Sequence, residues 1–330
     1  MSLSSLADAF APFVREIQST RYAELASSTI VIYDHLITLD QEIDLIWKAS
    51  WTPGKVLFLT NRYYVLASVI FNNYVLFTTH LSDSFSVKWF RWQGTTGLLV
   101  SMIAEIILQL RLYALYHLNR RVLVLMCGAF LVSAGTAAVI MGMVLARISA
   151  HSGLIPGLPF CIPVNVPSWF YTFWIPTLGF ESLLCALALF RAFRDFRSRT
   201  SLFQSGRHIV KILIRDSVIY YLIMFATYFT NLVIFLTGNV GVLESGIGFA
   251  VTMSCVMGSR LCLNIRDVHH ELEASTASQQ QHLTQPSFVS GGRSAYGTAS
   301  RGTNIVVSST YALTEFELVE LRNLRAQGKV

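Results

Sequence analysis

Long apolar stretches with few charges alternate with short polar breaks along most of this chain. The stretches fall at about residues 22–39, 56–79, 92–118, 122–146, 168–190, 212–236 and 242–263. Runs of about 18 or more apolar residues predict membrane-crossing helices rather than the buried helices of a soluble core. The pattern therefore predicts an all-α, seven-transmembrane-helix bundle. The breaks carry turn chemistry: Pro53-Gly54, Asn119-Arg120-Arg121, a Pro/Gly-rich loop over 151–167, and Gly238-Asn239-Val240-Gly241. Helix 4 is the cleanest, without a charge. Its Ala134, Ala138, Gly142 and Ala146 form a small-residue ridge suited to close helix packing. Helix 1 is the least apolar and holds Glu24, Asp34 and His35. Pro176 predicts a kink in helix 5.

The flanks read differently. Residues 1–21 lack the apolar core of a cleavable signal peptide. Leu3, Leu6, Phe10, Phe13, Val14 and Ile17 keep helical spacing, which predicts an amphipathic segment at the membrane surface. Residues 267–330 turn to Ser, Gln, Gly and Thr and predict a disordered cytoplasmic tail. Within it, Thr314-Glu-Phe-Glu317 has the form of a capping box ahead of Phe316, Val319, Leu321 and Leu324, a candidate partner-binding helix.

Charge gives the bundle a direction. Only 13% of residues are charged while 53% are hydrophobic, well away from a soluble domain. The net charge of +6 sits in short loops, which reads as topology and not as a nucleic-acid face. Arg191, Arg194, Arg197, Arg199, Arg207, Lys211 and Arg215 crowd between helices 5 and 6. Basic loops stay cytoplasmic, so the amino terminus is expected outside and the carboxyl terminus inside. With that choice only Arg15, Arg21, Lys88, Arg91 and Arg147 fall on the outer side. The plasma membrane is the expected location. Of the 5 cysteines, only Cys161 lies in an outer loop, so no disulfide framework is expected.

Ionisable groups in a bilayer are costly and normally face the bundle interior. Glu105 and Gln109 on helix 3, Glu181 on helix 5, Asn231 on helix 6 and Asp34-His35 on helix 1 are the candidate ligand-binding residues. They predict a polar cavity among helices 1, 3, 5, 6 and 7. Isolated Ser, Thr and Asn, such as Asn72-Asn73 or Ser245 and Thr252, are expected to serve interhelical hydrogen bonds. Asp34 and His35 are neighbours in sequence and point about 100° apart on a helix, so they are no ready acid–base pair. At the inner ends, Arg62, Arg111, Arg215, Asp216, Arg260 and Arg266 with Asp40 and Glu42 predict a charge latch between helices. Arg111, Arg194, Arg197, Arg215, Asp216 and Arg260 are the candidate switch or partner-contact residues.

Several activities find no support. No lysine lies in helix 7, as a retinal protein requires. A zinc site needs convergent ligands, and His35 is the lone histidine well inside a predicted span. A Ser/His nucleophile pair and a phosphate loop are also missing from the pattern, so no enzymatic activity, cofactor or metal is expected. Arg111-Leu-Tyr113 is similar to the helix 3 triplet of rhodopsin-like receptors, but Leu110 stands where those have an acid, and helix 7 lacks their Asn-Pro element. The expectation is a receptor-like protein with a small-molecule ligand, whose 191–211 loop and tail engage a cytosolic protein. The alternatives are a small-solute or lipid transporter using Glu105, Glu181 and Asp216, or a structural membrane protein.

The block Tyr33-Asp-His35, Asp40, Glu42, Ile46-Trp-Lys48 and Asn61-Arg-Tyr63 resembles a domain of unknown function. It occurs near the amino terminus of a large family of fungal, mainly basidiomycete, multi-pass membrane proteins. Glu105, Arg111-Leu-Tyr113, Glu181, Arg215-Asp-Ser217 with Tyr220, Ser259-Arg260 and Leu263-Asn-Ile-Arg266 resemble later marks of that family. The resemblance covers about residues 22–266. It implies a seven-helix membrane protein and supplies no catalytic residues.

Overall fold

The computed structural model describes residues 3–78, 82–116, 119–152, 161–197, 204–237 and 240–284. Side chains at both termini, in the hairpin strands and around residues 195–217 and 240–244 lie outside the description. The chain forms α1 (Leu3–Ile37), α2 (Leu39–Glu42) running into a π turn (Ile43–Trp47), α3 (Pro53–Leu59), a second π turn (Thr60–Tyr64), α4 (Val65–Phe77), α5 (Asp83–Leu115), α6 (Arg120–Arg147), a β1–β2 pair (Ser149–Ser152, Cys161–Val164), a 3-10 turn (Ser168–Phe173), α7 (Trp174–Arg197), α8 (Gln204–Thr237) and α9 (Val240–Thr284). Among the described residues, five helices are long and apolar enough to cross a membrane: Asp83–Leu115, Arg120–Arg147, Ser168–Arg194, Val218–Thr237 and Ser245–Asp267. This is an integral membrane protein, and its described residues are helical apart from one short hairpin.

Helix boundaries follow local chemistry. The side chain of Ser82 accepts from the Phe85 amide and starts α5 nine residues before the expected 92, because the cap and not the apolar run sets the start. Thr52 caps α3 with Pro53 in its first turn. The α3–α4 rod stays helical through its π turn, with right-handed helical backbone at Thr60 and Val65. Pro176 falls in the first turn of α7, where amide hydrogens have no helical partner, so the expected kink has no cause.

Three further expectations change. The segment over 1–21 is continuous with helix 1: α1 runs from Leu3 to Ile37 without a break, and Pro12 does not end it. The final helix extends to Thr284, into the expected tail, because Glu271, Leu272, Ala274 and the glutamines are good helix formers and no proline intervenes before Pro286. The candidate helix over 316–324 lies outside the described residues. In the Pro/Gly loop, Ser149 pairs with Val164 in an antiparallel hairpin. Asn165 closes it with φ of 63°, a conformation asparagine tolerates, and its Nδ2 donates to Ser149 Oγ.

The main core gathers Leu108, Leu112, Met126, Leu184, Tyr221 and Leu261 from α5, α6, α7, α8 and α9. The α6 ridge does not join it: Ala134 is buried, but Ala138, Gly142 and Ala146 face outward. Met126, Ala137, Met141 and Val144 form the packing face instead, since larger side chains bury more area.

Candidate functional site

Two constellations stand at opposite ends of the bundle. The first is a charge lock centred on Arg62. The π turn over Thr60–Tyr64 adds a residue to the helix and fans three consecutive side chains toward different neighbours. Arg62 Nε meets Glu42 Oε2 at 2.6 Å, and Nη1 lies 3.6 Å from Asp34 Oδ2. Nη2 donates to Thr38 Oγ1 at 2.7 Å and to the His35 carbonyl at 3.1 Å. Tyr63 OH donates to Glu42 Oε1 at 2.7 Å, and Trp47 Nε1 donates to the same oxygen at 2.9 Å. On the other side, Asn61 Nδ2 donates to the Cys255 carbonyl at 3.1 Å and reaches Ser259 Oγ at 3.4 Å.

Helix α9 fastens onto this unit. Arg260 Nε binds Asp34 Oδ1 at 2.6 Å. Arg266 donates to the Leu45 carbonyl at 3.0 Å and reaches Thr52 Oγ1 at 3.4 Å. Lys55, buried, donates to the Ala49 carbonyl at 2.8 Å and sits over the Trp51 ring. Buried charges survive only when paired, and here Arg62 forms ion pairs with both Asp34 and Glu42.

The second constellation is a cavity of about 110 Å³ between α5, α6, α7, α8 and α9. A single water needs roughly 10–15 Å³ by a comparable measure, so this space admits several waters or a small organic molecule. Its walls are aromatic: Phe170, Trp174 and Phe235 meet edge to face, with Phe235 5.2 Å from Phe170 and 5.6 Å from Trp174. Trp174 Nε1 is buried without a hydrogen-bond partner. Among the described residues, no lysine or arginine lines the cavity. Arg91 turns to the Leu145 carbonyl, and Arg147 lies over the Trp169 ring.

Gln93, Ser101, Thr177, Tyr228 and Ser254 form the polar part of the wall. Ser101 and Thr177 each stand four residues, about one turn or ~6 Å of rise, before Glu105 and Glu181 on the same helix faces. Glu105 is 3% exposed and Glu181 is fully buried, with neither Glu181 oxygen in a hydrogen bond. The Tyr228 hydroxyl, in the polar wall, shares a 3.2 Å hydrogen bond with Ser254.

The expected ligand residues therefore separate. Glu105, Gln109 and Glu181 share the layer below the cavity, and Gln109 Nε2 is buried without a partner. Asp34 belongs to the lock. His35 packs edge-on to Tyr63 at 5.4 Å and gives its carbonyl to Arg62. Asn231 donates to the Thr227 carbonyl in its own helix at 2.9 Å, and its Oδ1 faces Gly246 on α9. The expected single polar cavity among helices 1, 3, 5, 6 and 7 is thus two sites, because the deepest charges pair with each other. Of the expected latch, Arg62, Glu42, Arg260 and Arg266 take part; Asp40 is exposed, and Arg111 is buried beside Tyr220, Tyr221 and Cys262. Arg194 is exposed near the end of α7; the side chains of Arg197, Arg215 and Asp216 lie outside the described residues.

The cavity lining escaped the sequence reading. A signal was present. Phe90, Gly94, Gly97, Ser101 and Glu105 repeat at three or four residues along α5, as Phe170, Trp174, Thr177 and Glu181 do into α7. Each stripe passes from aromatic through small to acidic on one face. Thr38 and Lys55 were also missed; Thr52-Pro53-Gly54 hinted at the turn that Lys55 caps.

The profile of a family of unknown function (DUF6533) matches residues 22–67. Among curated proteins none matches the chain. The matched stretch contains Asp34, Thr38, Glu42, Lys55, Asn61, Arg62 and Tyr63, so the similarity to that family falls on the α1–α4 half of the charge lock.

Proposed function

We propose that this chain is a seven-span, receptor-like protein of the plasma membrane, amino terminus outside and carboxyl terminus in the cytosol, and not an enzyme. A small molecule enters the aromatic cavity from the outer side, and the inner charge lock responds. The observation that carries this reading is the course of α9. Its residues Ile247, Ala250, Val251 and Ser254 line the cavity, and the next three turns, through Arg260 and Arg266, fasten to Asp34, Asn61 and Leu45. One rigid helix touches both ends, so a ligand that displaces α9 works directly against the lock.

Two further rods support seven spans. From Tyr22 to Ile37, the exposed face of α1 is Tyr22, Leu25, Ala26, Thr29, Ile32, Tyr33, Leu36 and Ile37, while Glu24 and Asp34 point inward. The α3–α4 rod likewise exposes Val56, Ile70, Phe71, Tyr74 and Phe77 and buries Lys55 and Arg62. Their charges face protein and their apolar sides face out, as lipid contact requires. Extension of the family likeness to the rest of the bundle, and a fungal source, belong to the same proposal.

The test is partner capture. Full-length protein is expected to co-purify a cytosolic protein, and charge reversal at Arg194 and Arg197 is expected to abolish the association. The unpaired Glu181, with Glu105 also buried, favours a second reading, a proton-coupled transporter. Uptake by reconstituted vesicles driven by a pH gradient, with no partner captured, would replace the receptor reading with that one.

A further inference from the structure

We infer that the cavity takes a small aromatic amine in its protonated form, its ring held by the aromatic walls and its ammonium directed to Glu181 and Glu105. The inference rests on the cavity being a ligand site and names the ligand's chemical class.

Four observations converge. The walls offer ring faces from Phe170, Trp174, Tyr228 and Phe235, which attract both aromatic rings and cations. Among the described residues, no cationic side chain lines the cavity to oppose a positive ligand. The layer beneath carries two acidic groups, and Glu181 has neither oxygen paired although it is fully buried. A buried carboxyl left this way is costly and calls for a partner. Finally, both acidic residues stand one turn from the cavity's polar wall, on the side toward which helix side chains tilt. Side chains on a helix tilt toward its amino terminus, and α5 and α7 both begin at the cavity end. Glu105 and Glu181 thus lean toward Ser101 and Thr177, which narrows the one-turn gap to the polar wall. Gln109, one turn below Glu105 on the same face, adds a buried amide nitrogen without a partner.

An anionic ligand would meet two carboxyls, and a neutral one would leave Glu181 unmatched. A single ammonium gives Glu181 a charge-assisted hydrogen bond in a site that excludes most water.

The probe is 2-phenylethylamine, compared with the neutral 2-phenylethanol, on the full chain in detergent, with melting temperature and tryptophan fluorescence as readouts. The amine is expected to bind saturably and at least about tenfold more tightly than the alcohol. Glu181→Gln is expected to remove that preference while the protein stays folded, since no hydrogen bond depends on its oxygens. If E181Q does not fold, Thr177→Leu puts an apolar side chain on the wall between the cavity and the carboxyl and is expected to erase the preference in the same way. Equal binding of amine and alcohol, or an unchanged preference in both variants, overturns the amine assignment and leaves the cavity reading in place. Gly97 lines the cavity, and a Cβ built on it would meet nothing within 4 Å. Gly97→Phe is therefore expected to fill the space and abolish binding of both probes. Failure of both probes to bind the unmodified protein overturns the cavity reading and the amine assignment together.

Discussion

Arg62 holds two carboxylates, a hydroxyl and a backbone carbonyl with one planar head. A lysine could not reach all four, because its ammonium is a single point and not a fork. Arg62→Ala takes the cation from the fully buried Glu42 and leaves Asp34 only Arg260, and breaking a buried charge set costs about 3–5 kcal/mol. The variant is expected to show a large drop in melting temperature in detergent, with Arg62→Lys intermediate. Arg260→Ala is expected to cost clearly less: its side chain is 41% exposed, and Asp34 keeps Arg62. A larger loss for R260A than for R62A would move the centre of the lock to α9. The sequence marked Arg62, Glu42 and Arg260 as inner-end charges. It could not give their pairing, since Arg260 and Asp34 are far apart in the chain and only the bundle brings them together.

At the scale of elements, glycine separates contact faces from lipid faces. A Cβ on Gly248 of α9 would come within 3.0 Å of all three atoms of the Glu24 carboxyl on α1, and one on Gly246 would come within 2.6 Å of Asn231 Oδ1 on α8. Glu24 is buried and accepts from Asn72, so it has little room to move. Gly248→Ala is expected to destabilise by about 1–3 kcal/mol, the usual cost of overpacking. Gly142→Ala on α6 meets nothing and is expected to leave the melting temperature unchanged or raise it slightly, as alanine favours helix. Equal behaviour of the two would contradict the α1–α9 packing. The small-residue ridge of α6 shows why such faces resist reading from sequence. Small residues permit close approach but do not require it, and here the larger residues on another face made the contact. Hydropathy found α5 to α9 readily, because their apolar runs are long. It was weakest for α1 and the α3–α4 rod, where inward charges lower the mean and the outward face alone meets lipid.

Over the whole molecule, that inversion of charge and apolar surface is what a bilayer demands, and it can be tested on the two least apolar rods. Ile32 of α1 and Ile70 of α4 are each roughly half exposed. If both rods span the membrane, these side chains stand in hydrocarbon, and an arginine near the centre costs about 2.5–3.5 kcal/mol on insertion scales. Ile32→Arg and Ile70→Arg are then expected to reduce membrane insertion and to lower the melting temperature of whatever inserts. If either rod lies in water, the same change is an ordinary surface substitution, worth within about 0.5 kcal/mol. Arg194→Ala, at an exposed site near the end of α7, serves as the control and is expected to change neither. Orientation follows from the same preparation: in sealed right-side-out vesicles an amino-terminal tag is expected to be cut by added protease and a carboxyl-terminal tag to be protected. Insertion unaffected by both arginines would reduce the bundle to the five apolar helices. An odd number of crossings would still leave the termini on opposite sides, so the arginines, and not the tags, decide between seven spans and five.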